Sequence, residues 1–304
     1  MTLTELKYVV ALAQELHFGR AAQKSFVTQP TLSLAIQKLE DELGLQLFER
    51  NKNEVIVTEK GLQVVEQARK VLDEVGKIPA IAKGARDQLS GALKLGVIPT
   101  IGPYLLPDLV PLLRKRAPHM PLIIEENFTG NLAPMLRDGD IDVAIIALPF
   151  VLPGVTTRVM YEEPFSVVVP EGHAWAKRKS VKPSELSGEN MLVLNSGHCF
   201  RDHVLEACPG QSNTALPEGR SGSSLETIRN MVASGLGVSV LPATALQNRY
   251  LTRLVKVVPF AAPVPSRKVA IAWRQSFGRK AAVEVLAEAI GAVKLPSLRM
   301  AKVA

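Results

Sequence analysis

Cysteine is scarce in this chain, with two among 304 residues, Cys199 and Cys208. Two cysteines cannot form the disulfide framework of a small secreted domain, so the composition favours a reducing compartment, the cytoplasm. The first residues begin a helical pattern and lack the basic segment of a secretory signal. The longest apolar run, residues 143–155, contains two prolines and is shorter than the roughly 20 residues of a membrane span. We therefore expect a cytoplasmic protein with no membrane partner.

The sequence also lacks the motifs of several enzyme classes. It has no glycine-rich phosphate loop, no G-x-S-x-G elbow and no H-E-x-x-H zinc motif. Its five histidines show no metal-ligand spacing, so we expect neither a metal nor an organic cofactor, although zinc at Cys199 and His203 stays open. These absences disfavour most enzymes, and a thiol peroxidase with a helical accessory domain remains one alternative.

Basic residues are in excess overall but not at the amino terminus. The formal net charge is +7, yet residues 1–60 carry seven Lys and Arg against eight Asp and Glu. The last 214 residues carry 24 basic and 17 acidic side chains and supply the excess. Net charge therefore does not locate a nucleic-acid site, and only the placement of individual side chains can do so.

Residues 1–60 show three helical patterns followed by two short strand patterns. The third helix has a predicted buried stripe, Leu32, Ile36, Leu39 and Leu43, and Gly44 ends it. Thr58 then caps a long helix predicted from Glu59 to about Leu89, which Pro79 is expected to kink or break. This long helix predicts a linker that pairs with a second subunit, or else an ordinary surface helix.

The order helix, turn, helix and hairpin is typical of a winged helix-turn-helix. The face of the third helix opposite its buried stripe would meet DNA, through base edges or phosphates, and carries Pro30, Thr31, Ser33, Leu34, Gln37 and Lys38. Arg50, Lys52 and Asn53 form the tip of the predicted wing. The alternative is a plain helical bundle whose charged face is simply solvated.

From Ala92 onward, short apolar strand patterns alternate with helical ones. The helices are predicted at 103–117, 130–138, 198–207, 223–235 and 279–293. This alternation predicts a mostly parallel α/β sheet, and some 200 residues of it fit two small lobes better than one large sheet.

The segment "HFGRAAQKSFVTQPTLSLAIQKLEDELGLQLFER", the following "VTEKG" and the later "SLETIRNMVASGLGVSVLP" resemble LysR-type transcriptional regulators. The resemblance implies a winged helix-turn-helix in 1–58, a dimerising linker helix in 59–90 and a regulatory domain like a periplasmic binding protein in 91–304. Lobe I of that domain would comprise 91–164 plus 266–304, and lobe II 165–265. It further implies a dimer of dimers on double-stranded promoter DNA, in contact with RNA polymerase.

The family pattern adds Gln29 to the DNA-facing residues and supports Pro30, Thr31, Ser33 and Gln37. Leu34 departs from the polar or basic residue that many members carry at this position. An apolar side chain there is limited to apolar contacts, such as one with a thymine methyl group.

The two cysteines lie nine residues apart in a segment that is predicted to be helical, "GHCFRDHVLEACPG". On a helix this separation rises by about 13.5 Å and places the side chains on opposite faces. A disulfide requires Cα atoms within about 7 Å. The cysteines are therefore either unrelated, for instance packed in a core, or one pair that must unfold a helix to meet.

The segment "GHCFRDHVLEAC", together with "VIPTIGPYLLP", resembles the hydrogen-peroxide-sensing members of the family. The resemblance implies that Cys199 attacks peroxide, that Cys208 resolves it to a disulfide, and that oxidative-stress defence genes are activated. Thr100 and Thr129 would bind peroxide, although each could simply cap a helix. His198, Arg201, Asp202 and Arg267 would support the attacking thiol.

The position of Cys199 agrees with this division of roles. It lies in the first turn of its predicted helix, where the helix dipole favours an anion, and Cys208 lies at the opposite end. We also expect His198, Arg201 and His203 to add positive charge nearby. A metabolite-sensing regulator of the same family, with incidental cysteines, remains the main alternative function.

Overall fold

The computed structural model describes residues 1–51, 54–82, 88–208, 219–294 and 298–300. The chain forms two compact units, Met1–Arg86 and Asp87–Ala304. Hydrophobic clusters fill each unit: one lies in the first and two lie in the second. Among the helices of the described ranges, none is both long and apolar enough to cross a membrane.

The first unit is a winged helix-turn-helix followed by a long helix. Its elements are α1 (Leu3–Glu15), α2 (Phe18–Lys24), α3 (Gln29–Leu43), β1 (Phe48–Asn51), β2 (Glu54–Val57) and α4 (Glu59–Ala82). The Thr2 hydroxyl and the Glu5 carboxylate form a capping box at the start of α1. Thr28 caps α3, and Gly44 ends it in the left-handed conformation that glycine tolerates best. The predicted order of elements is thus confirmed.

Two details of this unit differ from the sequence prediction. Leu43 is 36% exposed because it lies in the last turn of α3, whereas Glu40 is buried in its place. The Glu40 carboxylate accepts hydrogen bonds from the backbone N–H groups of Leu47 and Phe48, which satisfies the start of β1. Helix α4 continues past Pro79 to Ala82, so a break of the helix at Pro79 is wrong, whereas a kink there stays a prediction. Leu89 lies in a turn, so the predicted end of the helix at about Leu89 is also wrong.

The second unit is a mixed α/β structure. Its strands are β3 (Leu93–Val97), β4 (Leu122–Glu126), β5 (Val143–Ala147), β6 (Val155–Pro170), β7 (Met191–Leu194), β8 (Ser221–Gly222), β9 (Val238–Pro242), β10 (Val255–Pro259), β11 (Ser266–Arg274) and β12 (Arg299–Met300). Its helices are α5 (Gly102–Arg116), α6 (Thr129–Asp138), α7 (Cys199–Ala207), α8 (Leu225–Ala233) and α9 (Lys280–Ala292). Each predicted helix of this unit is confirmed to within about two residues at either end.

The strands follow the order β4-β3-β5-β11-β6-β9-β7-β8, and β10 and β12 also pair with β6. Strand β11 is antiparallel to both β5 and β6, and β6 is antiparallel to β9 and β10. The expectation of a mostly parallel sheet is therefore wrong. The physical reason is that the chain crosses to the second lobe along β6 and returns along β11, so these two strands run in opposite directions.

The 16-residue strand β6 joins the two lobes. It pairs with β11 as far as Pro164 and with β9 from Phe165 onward. Met160 and Tyr161 belong to the hydrophobic core of lobe I, whereas Phe165 belongs to that of lobe II. One continuous strand thus passes from the core of lobe I to the core of lobe II.

Candidate functional site

Helix α7 carries the two cysteines at its two ends. Cys199 is its first residue, and Cys208 is the residue that caps its end. The turn into the helix requires Gly197, whose φ of 97° is a left-handed conformation that other residues adopt at a cost. Both cysteines are free thiols, and the nine-residue helix separates them by a rise of about 13.5 Å. The predicted helical geometry is confirmed.

The Cys199 thiol lies in a small pocket at the lobe interface. It is half-buried and packs against the core of lobe I. The Thr129 hydroxyl, on the first residue of α6, donates a hydrogen bond to the Cys199 Sγ at 3.7 Å. The pocket is lined by Ile98, Pro99, Thr100, Phe128, Thr129, Gly197, His198 and Cys199. The structure therefore brings Thr100, Thr129 and His198 together around this thiol.

Cys208 has the opposite environment. It is fully buried in the hydrophobic core of lobe II. Burial raises the pKa of the Cys208 thiol to about 11, because the apolar core disfavours a thiolate. Cys208 is thus held as a protonated thiol, away from solvent and from small oxidants.

His198 closes one side of the pocket as a neutral ring. It is 5% exposed, and its Nε2–H donates a hydrogen bond to the Ser223 carbonyl at 3.0 Å. Burial lowers the pKa of His198 below its ordinary 6.5. Because Nε2 carries the proton, Nδ1 is a hydrogen-bond acceptor, and it is buried without a described partner. The ring packs edge to face against Phe128.

Arg201, Asp202 and His203 are not among the residues that line this pocket. The Arg201 guanidinium donates to the Leu194 carbonyl at 2.8 Å, and Asp202 lies on the exposed side of the helix. Burial lowers the pKa of His203 as it does that of His198, so both rings are neutral near pH 7. The prediction that the histidines add positive charge is therefore wrong, because desolvation opposes their protonation. No three His, Cys, Asp or Glu side chains of the described residues converge as metal ligands.

Arg267 reaches the pocket through Thr100. Its Nη1 donates to the Thr100 hydroxyl at 2.8 Å and its Nη2 to the Thr100 carbonyl at 2.9 Å. Its Nε bonds the Glu163 carboxylate at 2.8 Å, and both charged side chains are fully buried. The guanidinium also lies 5.0 Å from the centre of the Phe200 ring. Since the Thr100 hydroxyl oxygen accepts from Arg267, its own proton remains available to donate to another group.

Glu163 is the member of this network that sequence reasoning missed. Its carboxylate also accepts hydrogen bonds from the backbone N–H and the hydroxyl of Thr244. The available signal was a glutamate inside an apolar strand, next to the point where β6 changes lobes. A buried carboxylate at such a point needs a cation beside it, and Arg267 supplies that cation.

The candidate DNA surface lies on α3. Gln29, Pro30, Thr31, Leu34, Gln37 and Lys38 are exposed, and Ser33 is half-buried. The Thr31 hydroxyl lies 2.8 Å from that of Thr28, and Lys38 pairs with Glu5 at 3.8 Å. The backbone of Arg50 lies on β1, whereas the predicted wing residues Lys52 and Asn53 fall outside the described residues. Thus the face predicted for DNA contact presents polar groups and one exposed leucine, Leu34.

Comparisons with known proteins cover nearly the whole chain. Residues 3–62 match the family described as bacterial regulatory helix-turn-helix protein, lysR family, and residues 86–294 match the LysR substrate binding domain. The hydrogen peroxide-inducible genes activator of Dickeya chrysanthemi is 39% identical over 290 residues, which is 95% of each chain.

Solved structures give the same result. Full-length OxyR from Pseudomonas aeruginosa, with an aspartate in place of one cysteine, is 50% identical with a TM-score of 0.80 and covers 100% of this chain and 99% of its own. A cysteine-to-serine mutant of Corynebacterium glutamicum OxyR, bound to hydrogen peroxide, is 34% identical with a TM-score of 0.63. That alignment covers 95% of this chain and 93% of the other.

Proposed function

Because this chain belongs to the LysR family of bacterial transcriptional regulators, we propose that it is an activator that senses hydrogen peroxide by reversibly forming a Cys199–Cys208 disulfide. The observation that carries the proposal is the placement of the two thiols. Cys199 lines a small pocket at the start of α7 together with Thr100 and Thr129, whereas Cys208 is buried at the end of the same helix. The Dickeya chrysanthemi relative is a hydrogen peroxide-inducible genes activator, and the Corynebacterium glutamicum OxyR mutant is bound to hydrogen peroxide.

The chemistry takes place in two balanced steps. The Cys199 sulfur, as thiolate, attacks one peroxide oxygen; the O–O bond breaks, and the departing hydroxide takes up the thiol proton as water. Cys199 is then a sulfenic acid. The Cys208 sulfur attacks it, the S–O bond breaks, and a second water leaves with the Cys208 proton. One peroxide is reduced to two waters while one dithiol is oxidised to a disulfide.

The pocket residues match the needs of a bound peroxide, which has two O–H donors and two acceptor oxygens. The Thr100 hydroxyl has a proton to donate, and Arg267 holds its oxygen in place. The Thr129 oxygen and the His198 Nδ1 can accept. Peroxide bound among these groups lies next to the Cys199 sulfur, which Thr129 already contacts. This arrangement supplies the proximity that accelerates the first step.

Disulfide formation can act as a switch because the two cysteines cannot reach each other while α7 is folded. The Cα atoms must come within about 7 Å, roughly half of the rise along α7. Helix α7 must therefore unwind, and Cys208 must leave the core of lobe II. The contacts of α7 with both lobes then change, and we infer that this alters the spacing of the DNA-binding units in a dimer of dimers.

The output of the switch is at promoter DNA. The exposed face of α3, with Gln29, Gln37 and Leu34, would lie in the major groove, and the wing at Arg50, Lys52 and Asn53 would contact phosphates. As an activator in the bacterial cytoplasm, the protein would also contact RNA polymerase. Each activation consumes one thiol pair, so the protein acts as a regulator rather than as a turnover enzyme.

Stoichiometric peroxide tests the proposal directly. The reduced full-length protein is treated with one equivalent of hydrogen peroxide, alkylated and digested. Its peptides are then identified by mass spectrometry. We expect one peptide pair joined through Cys199 and Cys208 and a changed footprint on a promoter. If no such pair forms, the redox function fails and sensing of a metabolite between the lobes takes its place. Multiple-turnover peroxide consumption without DNA binding would favour an enzyme instead.

A further inference from the structure

Helix α7 is held on lobe II by both apolar and polar contacts. Phe200, Val204 and Cys208 belong to the core of that lobe. Arg201 donates to the Leu194 carbonyl at 2.8 Å, and β7 ends at Leu194. These contacts occupy one side of the helix.

The other side of α7 faces lobe I, and His203 makes a hydrogen bond there. Its Nε2 lies 2.9 Å from the Leu148 carbonyl, in the loop that follows β5. His203 is four residues after Cys199, so the two side chains share a face of the helix. Cys199 contacts the same lobe through Thr129. The middle of α7 is thus tied to one lobe while its apolar face packs in the other.

The direction of this bond follows from its chemistry. A carbonyl oxygen can only accept, so His203 Nε2 carries the proton and donates. His203 Nδ1 is then unprotonated, and it is buried without a described partner. The ring is neutral and fixed in one tautomer, so His203 acts here as a hydrogen-bond donor and not as a charge.

We propose that His203 is a positioning residue: its hydrogen bond to the Leu148 carbonyl holds α7 on lobe I in the reduced protein and thereby opposes disulfide formation. This inference rests on the proposed function, because it concerns the second of the two oxidation steps. Attack on peroxide by Cys199 leaves the helix folded and the bond intact. Attack by Cys208 requires α7 to unwind, and the bond must break with it. His203 therefore shifts the dithiol–disulfide equilibrium without affecting the first step.

Two variants separate the hydrogen bond from the ring. His203→Phe keeps a flat ring but cannot donate, whereas His203→Gln can present an amide N–H at a similar distance from the backbone. The gain from one neutral hydrogen bond predicts that His203→Phe favours the disulfide by roughly two-fold to twelve-fold. This corresponds to a reduction potential about 10 to 30 mV more negative. His203→Gln should restore most of the native value.

The measurements are made on the full-length protein equilibrated with defined ratios of reduced and oxidised dithiothreitol. A second series carries Cys208→Ser, and in it the rate of sulfenic acid formation is measured with a dimedone-type probe. We expect this rate to be the same whether position 203 carries the native histidine, phenylalanine or glutamine. His119→Phe is the matched control, since His119 is exposed on the turn before β4, and it should leave the potential unchanged.

Hydrogen exchange of the α7 amides in the reduced protein adds a measurement that needs no peroxide. We expect faster exchange in His203→Phe and native protection in His203→Gln. If His203→Phe does not fold, His203→Met removes the donor with a more adaptable side chain.

The outcomes are distinct. An unshifted potential in His203→Phe, slower sulfenic acid formation, or a failure of His203→Gln to restore the native potential would each overturn the role of His203. If the native protein itself forms no disulfide, the proposed function fails first. In that case the amide exchange of α7 still decides whether His203 anchors the helix.

Discussion

Cys199 and Cys208 lie at the two ends of one nine-residue helix and pack against different hydrophobic cores, Cys199 against lobe I and Cys208 within lobe II. The helix therefore keeps apart two thiols that a disulfide would join. It also links the core of one lobe to that of the other. Any oxidation that joins the cysteines must change the packing of both lobes.

Replacing Cys208 with serine should stop the reaction after its first step. The expected product with peroxide is a Cys199 sulfenic acid that persists long enough to be labelled, because the resolving thiol is absent. Peptide mass spectrometry after labelling checks this. Cys199→Ser is the matched control and should give neither the label nor the disulfide. A labelled Cys208 in the Cys199→Ser protein would show that the roles are reversed.

Thr100→Val should slow sulfenic acid formation by about tenfold to a hundredfold. The change removes the hydroxyl that would bind peroxide and leaves a donor of buried Arg267 without its partner. Stopped-flow measurement on the reduced protein gives the rate. Thr100→Ser retains the hydroxyl and should stay within a few-fold of native. A native rate in Thr100→Val would remove Thr100 from the peroxide site.

Glu163→Gln should lower the free energy of unfolding by about 3 to 5 kcal/mol, because Arg267 becomes a buried cation without a counter-ion. Urea unfolding at neutral pH measures the loss. Replacing Glu163 and Arg267 together with methionine should cost less than Glu163→Gln alone, since no unpaired charge remains. Equal costs for the single and double changes would contradict a coupled pair.

Stability should fall as the pH drops below about 6.5. Burial lowers the pKa of His198 and of His203 in the folded protein, whereas the unfolded chain binds these protons with an ordinary pKa of 6.5. The unfolded state therefore gains protons first, and the stability present above pH 6.5 is lost on acidification. Urea midpoints at about pH 7.5 and pH 5.5 test this. The loss should be smaller in His203→Gln, and an equal loss would assign the effect to other groups.

Leu34→Ala should weaken binding to a specific promoter by several-fold while leaving binding to random DNA unchanged. Leu34 is 70% exposed on α3 and can supply apolar contact to a base but no phosphate contact. Fluorescence anisotropy at one fixed salt concentration measures both affinities. Lys38→Ala offers the contrasting case, with a loss on both DNAs if its amine leaves Glu5 to meet a phosphate. Equal losses on both DNAs for Leu34→Ala would place Leu34 outside the groove.

Local patterns predicted most of the helices and strands, because helix caps and the spacing of apolar residues depend on residues close together in the sequence. Thr28 and Gly44 bound α3 as expected, and α7 occupies the segment between the cysteines. What could not be predicted depends on long-range contacts. The burial of Glu40 arises from bonds to the strand that follows it, and the length of β6 arises from pairing with β11 and β9.

The candidate site shows the same division. Its cysteines and threonines were predicted through the family resemblance. The structure places Thr100, Thr129 and Cys199 around one pocket, whereas Cys208 lies in the core of lobe II. The charged groups near Cys199 were predicted less well, because closeness in sequence does not show which way a side chain points or how deeply it is buried. Arg201 points to a carbonyl of lobe II, and burial keeps the two histidines neutral. Glu163 binds Arg267 from 104 residues away along the chain, a separation that no local pattern reveals.

The complete burial of Cys208 makes the reduced protein selective among thiol reagents. A reagent that must clasp two neighbouring thiols, as a trivalent arsenical does, finds only Cys199 within reach while α7 is folded. Such a reagent can engage the pair only after the helix has opened. The fold thereby distinguishes a reagent that only binds thiols from an oxidant. Only the oxidant converts Cys199 to a sulfenic acid, which persists until the buried Cys208 thiol can attack it.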